Sequence, residues 1–415
     1  MHEIISLPNG LRIIYEKMPA VRSAAIGIFV GVGSRYEQQA ENGSAHFIEH
    51  MLFKRTINHS AAELAYKMDS IGGQINAYTT RESTCFYAKV LDTHLNTAID
   101  LLTEMFFDCA FDESEAESER GVILEEIGMY EDTPDDVCYE RLISGCYKGA
   151  LGRPVLGKPS TLAPMTGASL KAYKERHYTA GNIVISLCGS FDESHLDRIK
   201  EKFSSMEKVK CVKPRKASYS INTTARRKKT EQNQFCIAFP SNSVKSDERF
   251  AINLLSTILG GGVSSRLFQN IREKYGLCYS VYTFQATFED NGLLAVATAV
   301  GKETEMRTLS LIGDELRSFA ENGASEEELQ RAREQAKSSL VMGLESTSSR
   351  MVKLGNAMLA LNKCLTTDEI IAKYDAVTRE DIIRLARDRF DFSKLSLSAL
   401  GKTEAAEDYL SALNK

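Results

Sequence analysis

The most informative stretch of the chain is GSAHFIEH, residues 43–50. It places two of the seven histidines four residues apart, with a glutamate directly before the second. On an α-helix, positions i, i+3 and i+4 lie on one face, so His46, Glu49 and His50 are expected to point into the same small volume. Two imidazoles on one face can share a metal ion. The stretch therefore predicts a metal site carried by a helix.

The segments around this motif predict alternating strands and helices. Two short strands are expected about the turn Pro8-Asn9-Gly10, and the apolar run 23–34 predicts a buried strand ending in a glycine-rich turn. Ser44 is the expected cap of the motif helix. Further predictions are a helix over 60–72 capped by Ser60, a strand pair over 74–91 and two longer helices near 94–107 and 113–131.

The second half of the chain repeats the layout of the first. FCIAF (235–239) is expected to be a strand like the buried strand of the first half, and 249–261 a helix in the place of the motif helix. At an offset of about 203, Leu64 falls on Leu267 and Gly73 on Gly276. The repeat predicts two homologous domains.

The same offset places different residues at the motif positions. His46, Glu49 and His50 fall on Arg249, Ile252 and Asn253. None of these three side chains is a usual zinc ligand. The second domain is therefore expected to lack a metal site and to support the first.

A polar, basic segment with little periodicity separates the two halves. The predicted division is a catalytic zinc-binding domain over 1–205, a linker over 206–230 and a homologous domain without zinc over 231–415. The basic run 226–229 is interpreted as a solvated face of the linker, with a binding patch as the alternative. The predicted fold class is α+β, with two α/β domains, each a mostly antiparallel sheet with helices packed on one face.

Composition excludes several classes of function. A net charge of −5 provides no field that would attract nucleic acid or an anionic membrane surface. No run reaches the roughly 18 apolar residues of a membrane span, and the N-terminus lacks a signal-peptide pattern. The nine cysteines never form Cys-x-x-Cys, which argues against a disulfide framework and a thiolate zinc site. We expect a cytoplasmic protein with no nucleic-acid or membrane partner.

A catalytic zinc site needs a third protein ligand and a position open to water. Glu119, Glu125 and Glu126 all lie on the predicted helix 113–131, and chemistry alone does not choose among them. A structural zinc is disfavoured because two imidazoles and one carboxylate leave a position open. The alternative to any metal site is a helix that carries two hydrogen-bonded histidines and an ion-paired glutamate.

H-x-x-E-H is the inverted zinc-peptidase signature, in which the histidines bind zinc and the glutamate serves as base. Other matching segments are GGQINAYTTRE (72–82), LGRPVLG (151–157), HYTAGNIVIS (177–186) and ILGGGVSSRLFQNIREKYGLCYSVYTF (258–284). With these, nearly the whole chain resembles the inverzincin family of mitochondrial processing peptidase, insulin-degrading enzyme and pitrilysin. The resemblance is greatest to its short bacterial processing-peptidase-like members.

The resemblance implies roles for individual residues. His46, His50 and Glu126 are the expected ligands of one Zn²⁺ per chain, with Glu49 as general base and Glu119 as a support of the zinc site. Glu125 is expected to be a solvated charge. Two further groups of residues are assigned by the same resemblance: Arg272 and Tyr279, which family members direct at the substrate, and Asn76, Ala77 and Tyr78 on the edge strand that pairs with an extended peptide.

The resemblance also implies activity and assembly. We expect a zinc metalloendopeptidase that hydrolyses extended or unstructured peptides inside a closed chamber. Large relatives have four homologous domains, so this chain is expected to form half of a clamshell that a homodimer completes, with Arg272 and Tyr279 serving the zinc of the other protomer. The alternatives are the catalytic subunit of a heterodimer with a glycine-rich partner, and a non-catalytic peptide-binding member. Gly260-Gly261-Gly262 favours the homodimer, since one chain holds both motifs.

Overall fold

Two β-sheets and their covering helices make up the computed structural model, which describes residues 2–209 and 211–415. The strands are β1 (Glu3–Ser6), β2 (Arg12–Lys17), β3 (Ser23–Val30), β4 (Gln74–Thr79), β5 (Thr84–Leu91), β6 (Ile183–Gly189), β7 (Thr223–Arg227), β8 (Asn233–Ser241), β9 (Cys278–Thr287), β10 (Gly292–Val300) and β11 (Ser396–Gly401).

The helices of the first half of the chain are α1 (Ser44–Leu52), α2 (Ala61–Ser70), α3 (Leu95–Asp108), α4 (Glu113–Glu131), α5 (Pro134–Cys146), α6 (Pro159–Leu162), α7 (Gly167–His177) and α8 (Glu193–Ser204). Those of the second half are α9 (Arg249–Gly260), α10 (Glu305–Asn322), α11 (Glu326–Gly343), α12 (Thr347–Leu361), α13 (Thr367–Asp375), α14 (Arg379–Arg389) and α15 (Ala406–Leu413). Within the described residues, none of these helices has the length and apolarity needed to cross a bilayer.

The first sheet has six strands in the order β1-β2-β6-β3-β5-β4. Neighbouring strands are antiparallel except β2 and β6, which are parallel. β3, the predicted buried strand, and β6 have buried residues along almost their whole length, whereas β4 is an edge strand. The predicted hairpin at Pro8-Asn9-Gly10, the strand pair over 74–91 and the Ser60 cap of α2 are confirmed.

The second sheet repeats the first. Its order is β7-β11-β8-β10-β9, again with one parallel pair, β7 and β11. The order β2-β6-β3-β5-β4 in the first sheet thus matches the order β7-β11-β8-β10-β9 in the second. Helix α1 follows β3, and helix α9 follows β8, the corresponding central strand. The predicted duplication is confirmed by this topology.

One register in the predicted repeat is wrong. Leu64 and Leu267 are both buried, as the offset requires, but the two glycines with the same left-handed backbone, φ +63°, are Gly72 and Gly276. The pair Gly73–Gly276 is therefore displaced by one residue. The cause lies between the two positions, where Phe268–Glu273 forms a π-helical turn. Such a turn takes up an additional residue without changing the elements on either side.

The chain forms two compact units, and each takes one helix from the opposite half of the sequence. The first unit comprises Met1–Ile127, Arg153–Arg215 and Val341–Thr366, and therefore includes α12. The second comprises Gly128–Gly152, Lys216–Leu340 and Thr367–Lys415, and includes α5. Part of the segment predicted as a linker, 206–230, forms strand β7 of the second sheet. The assignment of catalytic and supporting roles to the halves stays a prediction.

In the first unit, helices cover both faces of the sheet, not one face as predicted. The main core lies on the side of α1, α3 and α8. On the other side, Met351, Leu354 and Met358 of α12 pack against residues such as Ile14 and Phe29. This second cover is required because the central strands are apolar on both faces. Gly355 permits the close approach, since a Cβ there would lie 2.2 Å from the Phe29 ring.

The second unit has the equivalent arrangement. Helix α5 packs on its sheet through Val137, Cys138, Leu142, Ile143 and Cys146, against side chains that include Cys236, Ala238 and Leu293. The correction to helices on both faces therefore applies to both units. The exchanged helices α5 and α12 occupy the same place in their halves, directly after α4 and α11.

Candidate metal centre

Helix α1 carries the motif, and its first turn is fixed by a distant side chain. The predicted cap, Ser44, is wrong: Gly43 precedes the helix, and the Glu37 carboxylate accepts hydrogen bonds from the N–H groups of Gly43 and Ala45, both at 2.8 Å. The Asn42 amide donates to the same carboxylate at 2.9 Å. Burial raises the pKa of Glu37 to about 7, and the N–H donors oppose this shift. A buried carboxylate thus sets where α1 begins.

His46, His50 and Glu126 meet at one point. The Nε2 atoms of both histidines lie 3.5 Å from the same oxygen, Oε2 of Glu126. The two imidazole centroids are 4.5 Å apart. One potential ligand atom from each of the three residues lies within 4.8 Å of the others. Helix α1 therefore offers two potential ligand atoms and α4 the third.

The spacing of these atoms fits zinc. With zinc–ligand bonds of about 2.1 Å, two ligands of a tetrahedral ion are about 3.4 Å apart. Each Nε2–Oε2 distance of 3.5 Å is close to that value. The Oε2 atom of Glu126 is buried and has no hydrogen-bond partner among the described residues. A cation bound between this oxygen and the two imidazole nitrogens would provide the partner that the buried oxygen lacks.

Glu119 orients His50 from the other side. Its Oε1 atom lies 2.8 Å from Nδ1 of His50, and its Oε2 atom pairs with the Lys54 ammonium. Glu119 and Glu126 are seven residues apart on α4 and so lie on the same helix face, while Glu125 is exposed. A proton on Nδ1, held by Glu119, leaves the Nε2 lone pair of His50 directed at the ligand triangle.

The electrostatics of the site favour cation binding. Burial, together with the neighbouring His50, lowers the pKa of His46 to about 4, so this imidazole is neutral near pH 7. The neighbouring His50 imidazole lowers the pKa of Glu126, whose carboxylate is therefore ionised. Burial opposes protonation of His50, but the adjacent carboxylates of Glu126 and Glu119 raise its pKa. The arrangement holds excess negative charge beside imidazole nitrogens.

Glu49 lies on the same helix next to this triangle. Its Oε2 atom accepts a hydrogen bond from the hydroxyl of Thr79 at 2.5 Å. Burial raises the pKa of Glu49. Thr79 is a residue that the sequence interpretation missed. Alternation along β4 could have found it, because Ile75, Ala77 and Thr79 lie on one face of the strand.

The three residues assigned to peptide binding lie on the edge strand β4, as predicted. The Asn76 side chain is exposed, and its Oδ1 atom accepts from the N–H of Ala77 at 2.8 Å. Ala77 packs on the main core. Tyr78 packs on the opposite face beside Tyr87, with ring centroids 6.3 Å apart, so its side chain is engaged beneath α12. What Tyr78 presents at the edge is its main chain.

Arg272 and Tyr279 lie together in the second unit. The Arg272 guanidinium is 4.6 Å from the Phe268 ring and 5.9 Å from the Tyr279 ring. Tyr279 is 79% exposed on the edge strand β9, so it is not a packed core aromatic. Most of the Tyr279 side chain is therefore accessible to solvent.

The geometry agrees with comparisons of sequence. Residues 12–159 match the sequence profile of insulinase, peptidase family M16, and residues 164–336 match that of the peptidase M16 inactive domain. A Bacillus subtilis protein named an uncharacterized zinc protease is 42% identical over 95% of this chain and 97% of its own length. A Streptomyces coelicolor protein of the same description is 38% identical over 95% of this chain and 88% of its own length.

Solved structures share the fold. A peptidase M16 inactive domain from Pseudomonas fluorescens superposes with a TM-score of 0.90 at 19% identity, over 97% of this chain and 99% of its own. A protease from Helicobacter pylori gives a TM-score of 0.86 at 20% identity, over 97% and 99% of the two chains. At these identities the solved structures establish the architecture of both units.

Proposed function

The chain belongs to peptidase family M16, the insulinase family, and is a zinc metalloprotease; from this we propose that it is an endopeptidase cutting extended or unstructured peptides inside a closed chamber, as a processing peptidase does. The observation that carries the proposal is the triangle of His46 Nε2, His50 Nε2 and Glu126 Oε2, with Glu49 beside it. One Zn²⁺ per chain is held by the three residues of the triangle.

The chemistry divides between the ion and the protein. A bound zinc ion would supply Lewis acidity to polarise the scissile carbonyl and would bring the pKa of a water toward roughly 7. Glu49 accepts a proton from the attacking water and returns it to the leaving amine. Burial raises the pKa of Glu49 and so suits it to both steps. Glu119 keeps the Nε2 atom of His50 directed at the triangle.

Peptide binding is assigned to the edge of the first sheet. Strand β4 has one neighbour, β5, and its outer side is able to pair with an extended peptide. Asn76 provides its main chain and its side-chain amide there, while Ala77 and Tyr78 provide their main chains. Such pairing uses the main-chain groups of the substrate and not its side chains. Because those groups are free only in an extended segment, the substrate must be unfolded where it is cut.

We assign the first half, 1–205, to catalysis and the second, 231–415, to substrate binding within a homodimer. Arg272 and Tyr279 of one chain would donate hydrogen bonds to the scissile carbonyl oxygen of a peptide in the site of the other chain as negative charge develops on it. The exposed Tyr279 and its neighbour Arg272 support this role. All nine cysteines are free and most are buried, which supports a cytoplasmic location.

The first experiment measures zinc content and cleavage of a quenched fluorescent peptide library for wild type, Glu49→Gln and the matched control Glu125→Gln. We expect about one zinc per chain in all three, and a rate lowered by about 100-fold or more in Glu49→Gln alone. Wild type that binds no zinc would refute the metal site. Cleavage by Glu49→Gln at the wild-type rate would refute the role of Glu49.

Assembly is tested by mixing inactive chains. Glu49→Gln and Tyr279→Phe chains are mixed and allowed to exchange, and size is followed by gel filtration. If Tyr279 serves the other protomer, mixed dimers contain one intact site and are more active than either parent. Mixed dimers no more active than the parents would refute the exchange of residues between protomers.

A further inference from the structure

The outer edges of the two sheets differ. In the first sheet, β1 pairs antiparallel with the outer side of β2. The strand that corresponds to β2 in the second sheet is β7, which pairs with β11 alone. The segment before β7 takes another course, in which Tyr219 forms a bridge to Tyr147, directly after α5. Within the described residues, no strand therefore lies on the outer side of β7.

The outer side of β7 has main-chain groups without partners. The Asn222 carbonyl and the Lys228 N–H bond to β11, both at 2.9 Å. Main-chain groups alternate between the two sides of a strand, so Thr223, Ala225 and Arg227 direct theirs away from β11. None of these outward groups forms a hydrogen bond within the described parts of the chain. They are able to pair with an added strand.

A groove lies beside these main-chain groups. Its first part, about 500 Å³, is lined by residues 223–225, 227 and 403–406. Its second part, about 470 Å³, is lined by residues 227–229, 302 and 401–404. The two parts share Arg227, Thr403 and Glu404 and are therefore continuous. We call this surface the β7 groove.

Three strands end at the second part of the β7 groove. β7 and β11 are parallel, and β10 runs the same way because β10 and β11 are both antiparallel to β8. Lys228, Lys302 and Lys402 lie within two residues of the carboxyl ends of these three strands. The Lys402 N–H is fixed by the buried Asn233, whose Oδ1 atom accepts from it at 2.6 Å. The sheet itself thus places the lysines of the groove.

The β7 groove is positive although the chain as a whole is acidic. Its lining includes five cationic side chains, one arginine and four lysines. Two carboxylates, Glu404 and the buried Glu305, pair with one of these cations, Lys302. Lys229 and Lys402 are exposed and pair with no carboxylate in the part of the chain that the structure describes. A positive surface on a chain of net charge −5 favours an acidic partner.

From these observations we propose that the β7 groove docks an extended acidic segment of a partner protein. The segment adds a strand to β7 in the place that β1 has on β2, and so runs antiparallel to β7. Its first residues then lie beside Lys229 and Lys402, and its last residues beside Thr223. The acidic residues of the segment therefore precede the part that pairs with β7. The basic run 226–229 contributes to a binding surface.

The β7 groove suits a peptide better than a compact anion. The outward groups of β7 include carbonyls, which need a donor that an ionised phosphate lacks and that the N–H groups of an added strand provide. No lining residue is aromatic, so a nucleobase has no ring on which to stack. The one group of potential metal ligands among the described residues lies in the first unit. The groove therefore holds a segment without cutting it, as a docking site does.

The test measures peptide binding by fluorescence anisotropy, with the full zinc-loaded chain carrying Glu49→Gln so that the peptide stays intact. The forward peptide has a run of aspartates followed by alternating valine and threonine, and the reverse peptide has the same residues with the aspartates last. The groove variant combines Lys229→Glu with Lys402→Glu. The matched control combines Lys245→Glu with Lys394→Glu, two exposed lysines near the opposite end of the sheet.

We expect the forward peptide to bind the control within about twofold of the parent chain, and the groove variant at least about 10-fold more weakly. The reverse peptide is expected to bind at least about 10-fold more weakly than the forward peptide, because its aspartates lie away from the cations. Strand pairing is tested with two forward peptides, each N-methylated at alternate residues for one side of the strand. One should bind about 10-fold more weakly than the unmodified peptide and the other within about threefold, since only one side faces β7.

Equal binding by the groove variant and the control, by the forward and reverse peptides, or by the two N-methylated peptides would overturn the proposal. Displacement of the forward peptide by inorganic triphosphate at a lower concentration than by unlabelled peptide would also overturn it, and would make the β7 groove an anion site. In chains that keep Glu49, the groove variant should cleave the peptide library at the wild-type rate. A selective loss of cleavage for peptides with acidic N-terminal ends would assign the groove to substrates and not to a partner.

Discussion

Helices α1 and α9 lie in the same place on the two sheets. They share their buried apolar residues and differ in the polar side chains at the positions of His46 and His50. Helix α1 buries Phe47, Ile48, Met51 and Leu52, and α9 buries the corresponding Phe250, Ala251, Leu254 and Leu255. At the positions of His46 and His50, α9 has Arg249 and Asn253. There the Arg249 guanidinium donates to the Ser246 carbonyl, and Asn253 Oδ1 accepts from the Tyr374 hydroxyl.

The helix that carries the proposed third ligand, Glu126, shows the same difference. When α4 and α11 are aligned at their first residues, the buried Glu119 corresponds to the buried Ala332, and Glu126 to Ser339. The fold therefore requires apolar residues at the helix–sheet contacts and tolerates many side chains at the neighbouring positions. The buried Glu119 carboxylate and His46 imidazole of the first unit do not improve this packing, because burying polar groups costs stability, and we attribute them to the proposed metal site.

The largest test of this comparison removes a ligand from one unit and its counterpart from the other. Glu126→Gln is expected to lose zinc and to lower kcat/KM by at least about 1,000-fold, because the remaining two ligands do not hold the ion. Ser339→Ala should leave both unchanged. Zinc analysis and peptide cleavage measure the effects. Full zinc occupancy in Glu126→Gln would show that another residue is the third ligand.

The next test concerns the start of the two helices. Glu37→Ala leaves the buried N–H groups of Gly43 and Ala45 without an acceptor and should destabilise the first unit by about 2–4 kcal/mol. Glu248, before α9, makes partly exposed bonds to Arg384 and Asn242, so Glu248→Ala should cost less than about 1 kcal/mol. Hydrogen exchange resolved by unit gives both values, and equal costs would contradict the distinction.

Zinc removal provides a third comparison without any mutation. Zinc at about 100 times its Kd stabilises the unit that binds it by about 2.7 kcal/mol. Chelation should therefore reduce the hydrogen-exchange protection of α1 and α4, and not that of α9 and α11. A uniform loss of protection in all four helices would indicate that zinc acts on the whole chain and not on the first unit.

The smallest expected effect separates Glu119 from its neighbour on the same helix. Glu119→Gln weakens the orientation of His50 and should lower zinc affinity by about 10- to 100-fold. Glu125→Gln alters an exposed side chain and should leave the affinity within about twofold. Zinc titration against a competing chelator measures both constants. Equal affinities for the two variants would remove Glu119 from the site.

Local patterns predicted most individual elements. The turn at Pro8-Asn9-Gly10, the Ser60 cap and the helices over 95–108 and 113–131 follow from residues that are neighbours in sequence. The repeat was also visible, since its strands and helices recur at nearly constant spacing. The π-helical turn at Phe268–Glu273 was not, because its additional residue leaves the pattern of apolar residues almost unchanged.

The features that the sequence missed depend on distant partners. Ser44 looks like a cap, but the first turn of α1 is bound by Glu37, which is placed there by a loop. The exchange of α5 and α12 between the halves requires two apolar sheet faces that no single segment reveals. Thr79 became a partner of Glu49 because β4 lies against α1.

The sequence by itself determined that His46, Glu49 and His50 share a helix face, because helical periodicity depends only on spacing along the chain. It did not choose among Glu119, Glu125 and Glu126 without the family resemblance. The tertiary structure placed Glu126 Oε2 at 3.5 Å from both Nε2 atoms, Glu119 behind His50 and Glu125 in solvent. The angle at which two helices pack decides which carboxylate faces the histidines, and that angle is set by the whole core rather than by the residues of either helix.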